Sequence, residues 1–219
     1  MHRKSVFITR ERESILPFIK LLKEQEVEVV AQPLFSYRSL NFARPTEAAE
    51  WIFFSSRNAV KFFFEKEMAG PFKYAAIGPA TGKELAKYVP VSFAGRDYDT
   101  QKTAHEFAAV AGTSKILFPC GADSLRSVQN VFPQSQVLDM VCYQSVKIPG
   151  NIGPHAAYVV LSPENARAIM DDTSINRLAV FFVLGEPTAK ALIGRGISNI
   201  HYLPHGDSMG WARSLLTEI

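Results

Sequence analysis

Short apolar runs recur along the chain: VFI (6–8), VEVVAQPLF (27–35), WIFF (51–54), YAAIG (74–78), KILF (115–118), AYVVL (157–161), VFFVLG (180–185) and NIHYL (199–203). Apolar runs this short, with little polar alternation, predict strands buried on both faces of a parallel sheet. Between them apolar residues return at helical spacing: Ile15, Phe18, Ile19 and Leu22; Leu85, Tyr88 and Val89; Ala189, Leu192 and Ile193. Strand and helix therefore alternate, as in doubly wound α/β sheets.

The pattern repeats. Sliding the chain on itself by 107 residues lays WIFFSSRNAV (51–60) on YVVLSPENAR (158–167) and YAAIGPATGKEL (74–85) on FFVLGEPTAKAL (181–192) without a gap. This register pairs Ser55 with Ser162, Asn58 with Asn165, Ala59 with Ala166, Gly78 with Gly185, Thr81 with Thr188, Lys83 with Lys190 and Leu85 with Leu192. A weaker match at offset 110 places VFITR (6–10) on ILFPC (116–120). Two domain-sized copies do not make a solenoid, so the repeat predicts two flavodoxin-like α/β lobes related by duplication.

The strand ends resemble one another, reading TRERES, FSSRNA, IGPAT, FPCGAD, LSPENA and LGEPT. Small polar residues and glycine there cap the following helix. In open α/β sheets these junctions sit at the carboxyl ends of the strands, where helix N-termini offer free backbone N–H groups to anions. Capping alone explains any one of them. The recurrence of Ser-x-x-Asn and Gly-x-x-Thr at equal spacing favours an anion site in a cleft where the loops of both lobes converge.

Composition narrows the classes. The chain has 219 residues, 47% of them hydrophobic and 21% charged, enough for two small cores and too apolar for disorder. The net charge of +3 is carried by scattered Lys and Arg, so nucleic acid is not the expected partner. Two cysteines, Cys120 and Cys142, make no framework or cysteine-rich metal site and fit a reduced cytoplasmic protein. Cys120 in FPCG is either a reactive thiol or a small buried filler, the latter being the simpler reading. The N-terminus has only VFI before charge resumes, and no window approaches 18 apolar residues, so neither an export signal nor a membrane span is read. Dinucleotide, P-loop, HExxH and GxSxG fingerprints are missing, and His2, His105, His155, His201 and His205 lack ligand spacing.

Taken in order, ITRERE, FFSSRNAVKFF, AIGPATGKEL, LFPCG, VCYQS, VLSPENA and LGEPTAKALIGRGI resemble uroporphyrinogen-III synthase over nearly the whole chain. The resemblance implies a cofactor-free and metal-free enzyme. It takes linear hydroxymethylbilane, eliminates water, inverts ring D and closes the macrocycle to uroporphyrinogen III. The eight carboxylates of the bilane suit helix N-termini and backbone donors. By the same resemblance Ser55, Ser56, Asn58, Thr81, Ser162, Asn165 and Thr188 fall at substrate-contacting loops. Arg10 pairs with a carboxylate or makes an interdomain salt bridge. Tyr143 is the family's candidate for assisting departure of the hydroxyl, since a phenol titrating near about 10 is protonated at neutral pH. Its bland alternative is a half-buried strand-end tyrosine. Glu186 departs from the pattern by placing a carboxylate in the second Gly-x-x-Thr loop.

The resemblance also implies a discontinuous domain, 1–35 plus 148–219, with 36–147 inserted, and a two-segment hinge near Phe35 to Ser39 and Tyr143 to Pro149. A monomer is the default. Two other readings remain: a non-catalytic two-lobed sensor of an anionic metabolite, and a transferase for phosphorylated sugars or nucleotides.

Overall fold

The structure is a computed structural model and describes residues 4–45, 48–96, 99–204 and 208–219. In chain order its elements begin with β1 (Ser5–Ile8), α1 (Leu16–Glu24), β2 (Glu28–Ala31), β3 (Phe35–Ser39), β4 (Trp51–Phe54), α2 (Arg57–Phe64) and β5 (Lys73–Ala76). Then come α3 (Pro79–Leu85), β6 (Phe93–Ala94), α4 (Thr100–Ala111), β7 (Ile116–Gly121), β8 (Val137–Lys147), β9 (Ala157–Val160) and α5 (Pro163–Met170). The chain closes with β10 (Val180–Val183), α6 (Glu186–Ile193), β11 (Ile200–Tyr202) and α7 (Ser208–Leu216).

The chain divides into two compact units, Met1–Ser36 with Lys147–Ile219, and Tyr37–Val146. The first holds a parallel sheet in the order β11-β10-β9-β1-β2. Counted along its own chain from the β2 edge, this is the 2-1-3-4-5 order of flavodoxin-like sheets. The second has the order β3-β8-β7-β4-β5-β6, with β8 through β6 parallel. From β8 onward it repeats the spatial order of the first, although β4, β5 and β6 precede β7 and β8 in the chain. The correspondence is consistent with duplication.

Alternation sorts each strand between two faces. In the first unit Phe7, Tyr158, Val160, Phe181 and Val183 meet α5 and α6 through Ala166, Ile169, Ala189 and Leu192. Val6, Ile8, Val159 and Phe182 meet α1 and α7 through Phe18, Leu22, Trp211 and Leu215. In the second, Ile52, Phe54 and Ala76 face α2 and α3, while Trp51, Phe53 and Phe118 face α4 at Ala104 and Phe107. Helices on both faces are why these strands read as unbroken apolar runs.

Several local expectations differ. The run at 27–35 is two strands, because Pro33 stands between β2 and β3 and has no amide for a ladder. The chain passes from one unit to the other within β3, at Ser36/Tyr37, and back at the end of β8, at Val146/Lys147. The spacing of Leu85, Tyr88 and Val89 does not mark one helix, since α3 ends at Leu85. No α-helix follows FPCGAD at once: a turn in which Ser124 N donates to Gly121 O takes its place. Within TRERES the chain enters a 3-10 turn, Arg12–Ile15, with no side-chain cap, before α1 begins at Leu16.

Candidate functional site

In the second unit β4 and β5 run parallel, so FSSRNA and IGPAT emerge side by side at their carboxyl ends. Ser56 caps α2: its Oγ accepts the Ala59 amide at 3.0 Å. Gly78 caps α3 without a side chain, and Thr81 stands at the third helical position, 6% exposed. Ser55, Gly78, Thr81 and Thr100 are among the residues lining a cavity of about 210 Å³. Asn58 is half-buried at the second position of α2.

The geometry shifts the register of the internal repeat. The serine equivalent to Ser162 is Ser56, not Ser55, since each caps its helix by accepting the amide three residues on, Ala59 in one and Asn165 in the other. Asn58 and Asn165 accordingly occupy the second and third positions of their helices. FSSR offers two serines, and backbone geometry selects the second as cap. The 107-residue register is restored by β5 and β10, and Gly78 and Gly185 cap equivalent helices.

Tyr143 lies within β8, half-buried, with its hydroxyl 3.1 Å from Ser56 Oγ. Its ring stacks on Phe62 at a centroid distance of 5.1 Å and meets Tyr37 edge-on at 5.8 Å. Two residues singled out separately in the sequence, Ser56 and Tyr143, are thus hydrogen-bonded. Of the surroundings of Tyr143, Phe62 stands in FFSSRNAVKFF, Gly121 in LFPCG and Tyr37 in the segment Phe35 to Ser39, but the sequence singled out none of the three. Thr100 was also missed; its only signal was the Asp99 cap, which accepts the Lys102 amide at 3.0 Å.

In the first unit β9 and β10 place Ser162 and Asn165 beside Gly185 and Thr188, the last only 4% exposed. Glu186 begins α6, exposed, where its carboxylate accepts from the Tyr202 hydroxyl at 2.5 Å and lies 3.7 Å from Lys190 Nζ. That hydrogen bond to Glu186, with burial and the carboxylate's charge adding to it, raises the Tyr202 pKa. Arg10 follows β1 with its guanidinium 5.7 Å from the ring centroid of Trp211, a cation–π contact within the first unit.

A larger cavity of about 360 Å³, between α1 and the edge strand β2, is walled by Arg12, Lys23, Glu26 and Glu28 beside Ile19, Val27 and Val29. It contains none of the predicted residues, and its charges are of mixed sign. The smaller cavity at Thr81 has the better chemical case, because loops at strand carboxyl ends line it.

Cys120 and Cys142 are buried, and burial pushes their thiols up to about 11 and about 12. They are packed filler, not nucleophiles. His155 is held between Ser5 Oγ and Ile152 O, each at 2.9 Å, His105 Nδ1 lies 2.7 Å from Gln101 O, and His201 is 3.5 Å from Glu218. His2 and His205 lie outside the described residues. Among the described residues no helix is long and apolar enough to cross a membrane.

The family model HEM4, uroporphyrinogen-III synthase HemD, matches residues 17–211. A comparison with curated proteins finds no match. Among solved structures, the fold is similar to uroporphyrinogen-III synthetase from Helicobacter pylori, at 12% identity and TM-score 0.72, covering 98% of this chain and 99% of that one. It is also similar to a mutant uroporphyrinogen III synthase from Thermus thermophilus, at 13% identity and TM-score 0.66, covering 98% and 97%. At such identities the structures speak for the fold, and the family match, which spans most of the sequence, speaks for descent: the chain belongs to the uroporphyrinogen-III synthase family.

Proposed function

We propose that this chain closes hydroxymethylbilane to uroporphyrinogen III for haem synthesis, with loss of water and inversion of ring D, and that Tyr143 assists the departure of the hydroxyl. The observation that carries the role of Tyr143 is its hydrogen bond to Ser56. Ser56 Oγ already accepts from the Ala59 amide, so its own O–H can turn to the phenol oxygen when the phenol gives up a proton. The phenol protonates the leaving hydroxyl, which departs as water, and the electron pair of the broken C–O bond goes with it. The proton released when the attacked pyrrole carbon regains aromaticity returns to the phenolate. Water is the net loss and no cofactor turns over.

Binding falls to two donor sets, one on each unit. Ser55, Ser56, Asn58 and Thr81 form one; Arg10, Ser162, Asn165 and Thr188 form the other. Buried hydroxyls and helix-end amides oppose carboxylates without the cost of ordering long side chains. Catalysis by positioning suits a substrate that closes spontaneously to the wrong isomer. The protein works in the cytoplasm without nucleic acid, a reading supported by its two buried, unpaired cysteines and its scattered charge, and a monomer is the default.

The test is to mix purified protein with freshly generated hydroxymethylbilane, oxidise the products and separate the isomers. Type III porphyrin in excess over a no-protein control is expected. Type I alone, at the spontaneous rate, would overturn the proposal.

A further inference from the structure

We propose that Gly121 is a positioning residue for the Tyr143 hydroxyl, an inference that rests on the role given to Tyr143 above. β7 and β8 pair in step from Ile116 opposite Val137 to Cys120 opposite Val141, and then Gly121 pairs with Tyr143. Cys142 is therefore an extra residue, a bulge in β8. Its effect shows in the packing: Cys142 and Tyr143, consecutive in a strand, both pack against the cluster of Ile52, Phe54, Val60 and Phe63, where a regular strand would send them to opposite faces. The bulge aims the tyrosine across the end of β7, where its carbonyl accepts the Ala122 amide at 2.9 Å.

Gly121 is what lets the ring lie there. A Cβ at this position would fall 2.9 Å from both Cε2 and Cζ of Tyr143 and 3.1 Å from its hydroxyl oxygen, and these are the three atoms nearest to it. The backbone itself makes no demand for glycine, since the positive-φ glycines among the described residues are Gly112, Gly153 and Gly196. A methyl group here conflicts first with the hydroxyl-bearing end of one ring. That ring is stacked on Phe62, so it yields by sliding, which takes the hydroxyl away from Ser56. Gly121 thus acts on the reaction through Tyr143 alone.

The experiment is a double-mutant cycle on the full chain, with kcat, KM and the type III fraction measured on hydroxymethylbilane and Tm measured alongside. Gly121→Ala is expected to lower kcat about tenfold or more, as displacement of a catalytic group does, with KM changed by less than about twofold. In the Tyr143→Phe background the same substitution is expected to change kcat by less than about twofold, because the group it displaces is gone. Equal losses in both backgrounds would make Gly121 merely structural and overturn the proposal. Full activity of Gly121→Ala beside a slow Tyr143→Phe would overturn it while leaving Tyr143 in place. Full activity of Tyr143→Phe would remove the Tyr143 assignment and this inference with it. Where Gly121→Ala is too unstable to assay, the ring conflict predicts that Tyr143→Leu restores its Tm, and no recovery would count against it.

Discussion

The hydroxyl of Ser56 lies 3.1 Å from the phenol oxygen of Tyr143 while accepting the Ala59 amide at 3.0 Å, so one serine both caps α2 and touches the proposed acid. The two roles separate by substitution. Ser56→Ala costs about 1 kcal/mol of stability through the lost cap, whereas Ser56→Gly costs only a few tenths. Both remove the contact to Tyr143. Equal losses in kcat from the two variants, with only Ala lowering the urea midpoint appreciably, are expected. A loss of rate that instead follows stability would reduce Ser56 to a cap.

Thr81 and Thr188 occupy the same position in equivalent helices, both nearly fully buried. Valine keeps the shape and removes the hydroxyl. A hydrogen bond to a charged group contributes about 1.5–3 kcal/mol, so Thr81→Val is expected to lower kcat/KM about tenfold or more, mainly by raising KM. Thr188→Val is expected to do less, since Glu186 already opposes an anion near that loop. Unchanged kinetics in Thr81→Val would leave the threonine as packing only.

How far the sequence carried these assignments depended on burial. Strands such as WIFF and AYVV are covered on both faces and announce themselves as apolar runs. β3, FSYRS, has largely exposed residues, and the polar half of β8 differs little from a loop in composition, so neither announces itself as a strand. Ser56 was visible as a residue type at a strand end and Tyr143 as a half-buried tyrosine, although Tyr143 stands inside β8 and not at its end. Their meeting was not, because it joins residues 87 apart in the chain and depends on one extra residue, a bulge in β8 where it pairs with β7. The single-residue shift at Ser55 and Ser56 was hidden for a related reason: identity favoured one serine and amide geometry the other.

Glu186 tests the anion reading from the opposite side. Its carboxylate takes the Tyr202 hydroxyl and lies near Lys190, which draws it along the helix without removing its charge. Glu186→Gln deletes one negative charge near Thr188. A unit charge several ångströms away across water changes binding of an anion by up to about 1 kcal/mol, so KM for the bilane is expected to fall about two- to fivefold with kcat unchanged. The gain should shrink as salt rises. A KM that stays the same at low ionic strength would place the substrate's carboxylates elsewhere.

The loops at the opposite, amino end of β9 are held by two groups whose titration gives stability a pH dependence. The Tyr158 hydroxyl accepts the His155 and Asn176 amides, each at 2.9 Å, and donates to Gly153 O at 2.8 Å. Tyr158→Phe leaves three backbone groups without that partner and is expected to cost about 2–4 kcal/mol. Burial, the main influence, raises the Tyr158 pKa despite the two amides. The folded state therefore resists losing this proton, and stability is expected to fall as pH climbs above the ordinary tyrosine value of about 10. Asp172 acts at the other end of the scale. Burial, its largest single influence, pushes its pKa up, but hydrogen bonds from Ser174 and from the Ile152, Ser174 and Gly153 amides together hold it below the usual value. A carboxyl lowered on folding stabilises above its unfolded value, near about 4, and loses that contribution as pH falls through the folded one. Urea midpoints across the acid range should therefore drop more steeply for the wild type than for Asp172→Asn, which starts lower at neutral pH. Tyr158→Phe should lose its share of the alkaline decline and keep the acid one. Parallel acid limbs in wild type and Asp172→Asn would show that other carboxylates carry the acid response.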